Sequence, residues 1–198
     1  MENLPNSIEI GFVSSNVQKY SEISKVFLQK SKIQLRFLRM TLTEIQSSDL
    51  EEIAKFSLET CFQKNFTIPY FVEDSGLFIE SLEGFPGPYS SYILKTIGLW
   101  GVLKLLEDKD NRKAFFQSSI ALHFNNKIFL FTGRVNGNIS TSISKSGWGY
   151  DPIFIPSKGD GKTFGELAEI KNRLSHRYLA VTKLISFLNK EYHLGSYV

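Results

Sequence analysis

The sequence predicts an α/β fold built on a partly antiparallel sheet. Three observations carry that expectation. Short apolar strands and helical stripes alternate through the first third of the chain. Two long strand-like runs in the middle are separated only by Asn125-Asn126, a hairpin signature. The chain then closes on one long amphipathic helix.

IEIGFV (8–13) reads as a strand ending in the polar loop Ser14-Ser15-Asn16. A helix follows, with Tyr20, Ile23 and Phe27 at three-four spacing. IQLRFL (33–38) alternates as a half-buried strand. DLEEIAKFSLETCFQK (49–64) opens a helix with Asp49 as its cap and acids in the first turn. PYFVE (69–73) is the next strand, and the chain is expected to turn at Ser75-Gly76. Residues 91–107 read helical, with Leu99, Val102, Leu103 and Leu106 on one face. AFFQSSIALHF (114–124) and KIFLFTG (127–133) form the hairpin, RVNGNIS (134–140) a further strand, and WGYDPIFIP (148–156) an extended run. Ser175 caps the last helix, whose core-facing stripe is Tyr178, Val181, Ile185, Leu188 and Tyr192.

With 198 residues, 42% of them hydrophobic, the chain can bury one sizeable core, as a single domain or two closely joined lobes. A net charge of +3 suits a small anionic ligand and does not suggest bulk nucleic-acid binding. The single cysteine, Cys61, excludes an intrachain disulfide and fits a reducing compartment. It shares an apolar stripe with Ala54 and Leu58, which favours packing over nucleophilic catalysis. The stretch MENLPNSIEIGFV lacks the basic start and apolar run of a secretory signal, and no run approaches the roughly 18 apolar residues of a membrane span. The expectation is a soluble cytoplasmic protein.

GDGKT (159–163) imitates the tail of a phosphate-binding P-loop, but the first glycine of that pattern would fall on Pro156. A glycine-rich surface loop is the better reading. SSNVQK (14–19) ends a strand and opens a helix, where unpaired amides and the dipole favour an anion. Asn16 can cap that helix and Lys19 can reach the same anion; taken alone, a capped helix with a solvated lysine explains the stretch better. FVEDSGLFIE (71–80) sets two adjacent carboxylates in an apolar run, where desolvation demands a partner. A carboxylate at Asp74 suits a hard cation such as Mg²⁺; the plainer reading is an exposed turn. Glu44 is a second candidate ligand, and otherwise an ordinary loop acid.

SGWGYDPIF (146–154) can present an aromatic face to a planar ligand while Gly149 admits close backbone approach; an aromatic core cluster is the alternative. KNRLSHR (171–177) gathers Lys171, Arg173, His176 and Arg177 around a helix start. Cations are unfavourable there unless an anion or acceptor meets them. Ligand contact explains the cluster better than a solvated basic turn.

In chain order these pieces resemble the inosine triphosphate pyrophosphatase family, also called Ham1-like or non-canonical purine NTP pyrophosphatases. The family's [ST]-x-N-x-x-K is SSNVQK here, and its E/D-D-S-G-L is EDSGL. L-x-G-x-P-G-x-Y is LEGFPGPY, G-[FW]-G-[YW]-D-P-x-F is GWGYDPIF, and K-N-x-x-S-H-R is KNRLSHR. Each is modest alone; all five in order, over nearly the whole chain, are specific.

The resemblance implies an elongated mixed sheet flanked by helices, as one domain over residues 1–198 with two lobes and a deep nucleotide cleft between them. It also implies a homodimer and Mg²⁺-dependent hydrolysis of ITP, dITP and XTP to the monophosphate and pyrophosphate. Asp74 would be general base and metal ligand, Glu44 the second metal ligand, and Glu73 an electrostatic support. Ser14, Ser15, Asn16, Val17, Gln18 and Lys19 would hold the triphosphate, with Ser75 nearby and Lys171 reaching the nucleotide from across the cleft. Trp148 would stack on the base beside Gly149 and Tyr150, with Asp151, His176 and Arg177 around its edge. An Arg177 donor aimed at a 6-oxo group would disfavour adenine on the order of 10⁴-fold. Three positions depart from the family: Ser57 replaces the lysine of A-x-x-K, Tyr92 stands where bacterial members often have arginine, and Ser15 replaces the glycine of T-G-N. Lys55 lies about 200° around the helix from Ser57. The missing lysine raises an alternative, a catalytically silent nucleotide-binding or interaction protein on the same fold.

Overall fold

The computed structural model describes residues 8–194, with the backbone alone at Ile170. The start of the stretch read above for a secretory signal, residues 1–7, lies outside them. β1 (Glu9–Ser14) leads into α1 (Val17–Lys30), and β2 (Gln34–Arg39) returns parallel to β1. α2 (Leu50–Glu59) starts at Asp49, whose carboxylate accepts from the Glu51 amide. β3 (Tyr70–Ile79) lies parallel to β1 on the other side. Next come β4 (Pro86–Gly87), α3 (Ser90–Thr96), α4 (Gly98–Leu105) and the long hairpin of β5 (Lys113–Phe124) and β6 (Lys127–Ile139). β7 (Phe154–Pro156), α5 (Ala168–Leu174) and α6 (His176–Glu191) complete the described chain. The described strands form one seven-stranded mixed sheet in the order β2-β1-β3-β5-β6-β7, with β4 against β3. No helix among the described residues is long and apolar enough to cross a membrane.

Strand alternation divides the core. Phe12, Phe71, Ile120 and Leu122 meet α1 and α6 through Ile23, Phe27, Val181, Leu184 and Leu188. Val13, Val72 and Ala121 face the other way, onto Ala54, Leu58 and Cys61 beneath α2. Cys61 is therefore a buried, free packing residue, as its stripe predicted. Further along the same strands, Leu77, Ile79 and Phe116 join Val102, Leu106, Phe154 and Phe164 in a separate core. Burying each such Leu, Ile or Phe stabilises the fold by roughly 1.5–3 kcal/mol. Asn125 and Asn126 adopt φ of 49° and 57°, the left-handed pair that a primed hairpin turn requires.

Several element boundaries differ from expectation. The chain does not turn at Ser75-Gly76. β5 pairs with β3 continuously from Tyr70↔His123 to Ile79↔Ala114, so the ladder carries the strand straight through. Gly76 serves close approach instead: a Cβ there would lie 2.4 Å from the Gly87 carbonyl oxygen. Residues 91–107 form two helices, broken where Gly98 takes φ +65°. The second helix stops at Glu59, ahead of a short 3₁₀ turn over Phe62–Lys64. The segments 127–133 and 134–140 merge into the single strand β6, apart from Ser140. Of WGYDPIFIP only Phe154–Pro156 is strand, because the Ile153 and Phe154 amides both fold back onto the Tyr150 carbonyl. α5 was not anticipated; its charged residues read as the approach to the following helix.

Candidate functional site

A cleft of about 410 Å³ opens at the end of β1 and the middle of β3, bounded by the start of α1, the 41–44 loop, α3, the 148–151 loop and the α5–α6 junction. Because β3 continues through the EDSG motif, its pleat sends Glu73 and Asp74 to opposite faces. Glu73 shares the α1–α6 face with Phe71, and its side chain is fully buried. One carboxylate oxygen forms an ion pair with Lys19 Nζ at 2.9 Å, while the same ammonium donates to the Glu73 carbonyl at 3.1 Å. The other oxygen accepts from Ser118 Oγ at 2.6 Å and Arg177 Nε at 3.2 Å. Burial alone would raise the Glu73 pKa; Arg177 and Lys19 outweigh it and hold the carboxyl at about 2.

Asp74 has the contrary environment. Burial raises its pKa to about 6, opposed by Lys19 but reinforced by Glu44 and Glu73. Its Oδ1 accepts from the Ser75 amide at 2.8 Å and lies 3.9 Å from Lys19 Nζ. Glu44 lines the same cleft from an exposed loop. No cluster of three or more His, Cys, Asp or Glu gathers among the described residues, so Asp74 and Glu44 are a two-carboxylate, oxygen-only donor set. Such a pair, with Lys19 3.9 Å from Asp74, fits a hard divalent cation that takes its remaining ligands from phosphates and water.

At the other end, a residue that sequence reasoning missed organises the basic cluster. Glu22, one turn beyond Lys19 on α1, accepts from Lys171 Nζ at 2.5 Å, Trp148 Nε1 at 2.9 Å and Arg177 Nη1 at 2.5 Å. Lys171 also donates to Asp151 at 2.7 Å. The acceptors for the KNRLSHR cations are thus the protein's own acids, and Arg173 of that cluster is exposed. The available signal for Glu22 was its position beside Lys19 on the same helix turn. Burial would raise the Glu22 pKa, but Arg177 and Lys171 bring it from 4.5 to about 2.

That depressed pKa makes a stability prediction. Glu22 contributes stability above its unfolded pKa of about 4.5, and the contribution is lost as pH falls toward 2. The shift corresponds to about 3 kcal/mol. Lys171 and Arg177 face Glu22, and Asp151, beside Lys171, has its own pKa raised chiefly by burial. Urea denaturation should therefore show Glu22→Gln less stable than wild type at pH 7, with the gap narrowing at pH 3. A gap that does not change with pH contradicts this account.

The remaining predicted residues sort by placement. Ser14, Ser15, Asn16 and Lys19 line the cleft, with Asn16 Oδ1 capping α1 through the Lys19 amide at 3.0 Å. Val17 and Gln18 do not line it: they are the first exposed residues of α1, and Gln18 borders a smaller neighbouring cavity. Ser75 Oγ accepts from Arg177 Nη2 at 3.0 Å. Arg177 thus gives one donor each to Glu73, Glu22 and Ser75, leaving two of its five. Trp148 is part-exposed on the cleft wall, with Lys171 Nζ 5.2 Å and Arg177 Cζ 5.6 Å from its ring. Gly149 and Asp151 also line the cleft, and Asp151 Oδ2 accepts from the Trp148 amide at 3.3 Å.

Tyr150 touches the cleft, but its ring is buried against Phe116 and its hydroxyl donates to the Ser90 carbonyl at 2.8 Å. It ties the 148–151 loop to α3. His176 is buried, stacked on Phe116 at 4.6 Å, and kept neutral by burial and by Arg177. Lys19 and Arg177 are the counter-charges of Glu73, while Lys171 pairs with Glu22 and Asp151. GDGKT forms surface turns with Lys162 exposed, as its rejection as a P-loop anticipated. Ser57 is buried and donates to the Thr43 carbonyl at 3.1 Å, while Lys55 is exposed.

The cleft's charges are balanced before any ligand arrives. Among the described residues, Lys19, Lys95, Lys171 and Arg177 line it against Glu44, Glu73, Asp74 and Asp151. A polyanion therefore gains little net attraction unless a cation accompanies it.

Fold and cleft together define a mixed α/β protein with a helix start, a carboxylate pair and an aromatic-walled basic end on one cavity. The chain belongs to the Ham1 family, whose model matches residues 10–187. It is 48% identical over 177 residues to the dITP/XTP pyrophosphatase of Korarchaeum cryptofilum, covering 89% of this chain and 94% of that one. It is 43% identical over 185 residues to the dITP/XTP pyrophosphatase of Thermococcus kodakarensis, covering 92% and 98%. Its fold matches the Staphylococcus aureus Ham1 protein with a TM-score of 0.78 and 27% identity, over 92% of this chain and 99% of that chain.

Proposed function

We propose that this protein hydrolyses ITP, dITP and XTP to the nucleoside monophosphate and pyrophosphate. The observation that carries the reading is one cavity holding the Asp74–Glu44 pair, Lys19 and, opposite, the Trp148 wall with its basic cluster. The dITP/XTP pyrophosphatase relatives, similar over most of their length, support it. In this reading residues 1–198 act as one two-lobed domain in the cytoplasm, as a homodimer.

Ser14, Ser15, Asn16 and Lys19 hold the triphosphate at the α1 start, where first-turn amides lack helical partners. Mg²⁺ between Asp74 and Glu44 would withdraw charge from phosphate oxygens. Asp74 holds a water in line with the α-phosphorus and takes its proton as the bond to the pyrophosphate oxygen breaks. Lys19 stabilises the charge that develops on the phosphates and stays fixed by Glu73 throughout. Trp148 stacks on the base, and Asp151, Lys171, His176 and Arg177 surround its edge. The remaining Arg177 donors favour a 6-oxo acceptor over the 6-amino group of adenine.

Incubation with dITP or XTP and Mg²⁺ should release the monophosphate and pyrophosphate, with ATP turned over far more slowly. Orthophosphate and a diphosphate as products would contradict the reading. Tight XTP binding with no turnover would favour the silent nucleotide-binding alternative.

A further inference from the structure

We propose that Lys95 binds the triphosphate chain of the substrate, an assignment that rests on the function proposed above. Lys95 lies on α3, where Ser91, Leu94 and Lys95 share the helix face that lines the cleft, at three- and four-residue spacing. It is the exception in the cleft's charge pairing. Lys19 is matched by Glu73, Lys171 by Glu22 and Asp151, and Arg177 by Glu22 and Glu73. The Lys95 side chain has no ion pair or hydrogen bond among the described residues.

Lys95 is exposed on the cleft wall with no protein acid among the described residues to hold it, so its ammonium is free to make a charge-assisted contact with an anionic ligand. The phosphates are the strongly anionic part of a purine nucleotide, so they are what Lys95 meets. Among the described residues, α2 does not supply this contact instead. α2 presents no cation to the cleft, since Ser57 is turned onto Thr43 and Lys55 is exposed outside it. Lys95 therefore grips the chain from α3 while Lys19 grips it from α1, a two-sided clamp across the cavity.

The test compares Lys95→Ala, Lys95→Arg and the control Lys162→Ala with wild type, in steady-state hydrolysis of XTP at several salt concentrations. Wild-type turnover is measured first, because its absence overturns the proposed function itself. Given an active wild type, Lys95→Ala should raise KM about tenfold and more than it lowers kcat, as loss of a charge-assisted contact does. Lys95→Arg should recover most of that loss, and Lys162→Ala should keep the wild-type KM. Added salt should raise the wild-type KM more steeply than that of Lys95→Ala, since an exposed charge contact is screened. An unchanged KM in Lys95→Ala, or a Lys95→Arg no better than Lys95→Ala, overturns the Lys95 assignment alone.

Discussion

Replacing Asp74 with asparagine is expected to cut dITP and XTP hydrolysis by roughly 10³-fold while leaving the protein folded. Asparagine keeps the shape and the contact with the Ser75 amide but accepts no proton from water. Its effect on stability should run the other way from most substitutions in a buried setting. The Asp74 carboxylate is desolvated beside Glu44 and Glu73, with Lys19 3.9 Å distant, so a neutral group there relieves repulsion. The thermal midpoint should therefore hold or rise. Pyrophosphate release and thermal unfolding measured on one preparation check both halves. A near-normal rate would remove Asp74 as the base.

The neighbouring acid should behave oppositely. Glu73→Gln is expected to destabilise the protein by about 3–5 kcal/mol, because it leaves Arg177 and Lys19 without their shared buried partner. For a chain of this size that corresponds to a fall of roughly 10 °C in Tm. Turnover should fall as well, since Lys19 loses the carboxylate that fixes it. Wild-type and variant melting curves at neutral pH decide the matter, and coincident midpoints would contradict it. Two carboxylates joined by one peptide bond would thus have separable jobs, one chemical and one architectural, set by which side of the pleat each occupies.

The residues themselves announced much of this site. Adjacent acids in an apolar run, a strand ending at a helix cap, and basic residues at a helix start are local signals, and all three line one cleft. What the sequence concealed was long-range. Nothing near Glu22 indicates that its partners lie about 150 positions away at Lys171 and Arg177. Local turn chemistry also misled at Asp74-Ser75-Gly76, because the full β5 ladder overrides it and the glycine is required by the Gly87 backbone. Trp148 and Tyr150 look equivalent in GWGYD and both touch the cleft, yet only Trp148 keeps its ring exposed there. Tyr150 packs into the core of Leu77, Ile79 and Phe116, one residue past Gly149 with its φ of 64°.

The buried tie between Tyr150 and Ser90 has a mechanical consequence. Ser90 Oγ also accepts from the Leu77 amide at 2.8 Å and donates to the Gly87 carbonyl at 2.6 Å. The strand carrying Asp74, the helix carrying Lys95 and the loop carrying Trp148 are thereby riveted at one point. Sliding any of the three would strand buried polar groups at about 1–3 kcal/mol each. These three walls of the cavity therefore share one buried hinge pin of hydrogen bonds and shift, if at all, as a unit.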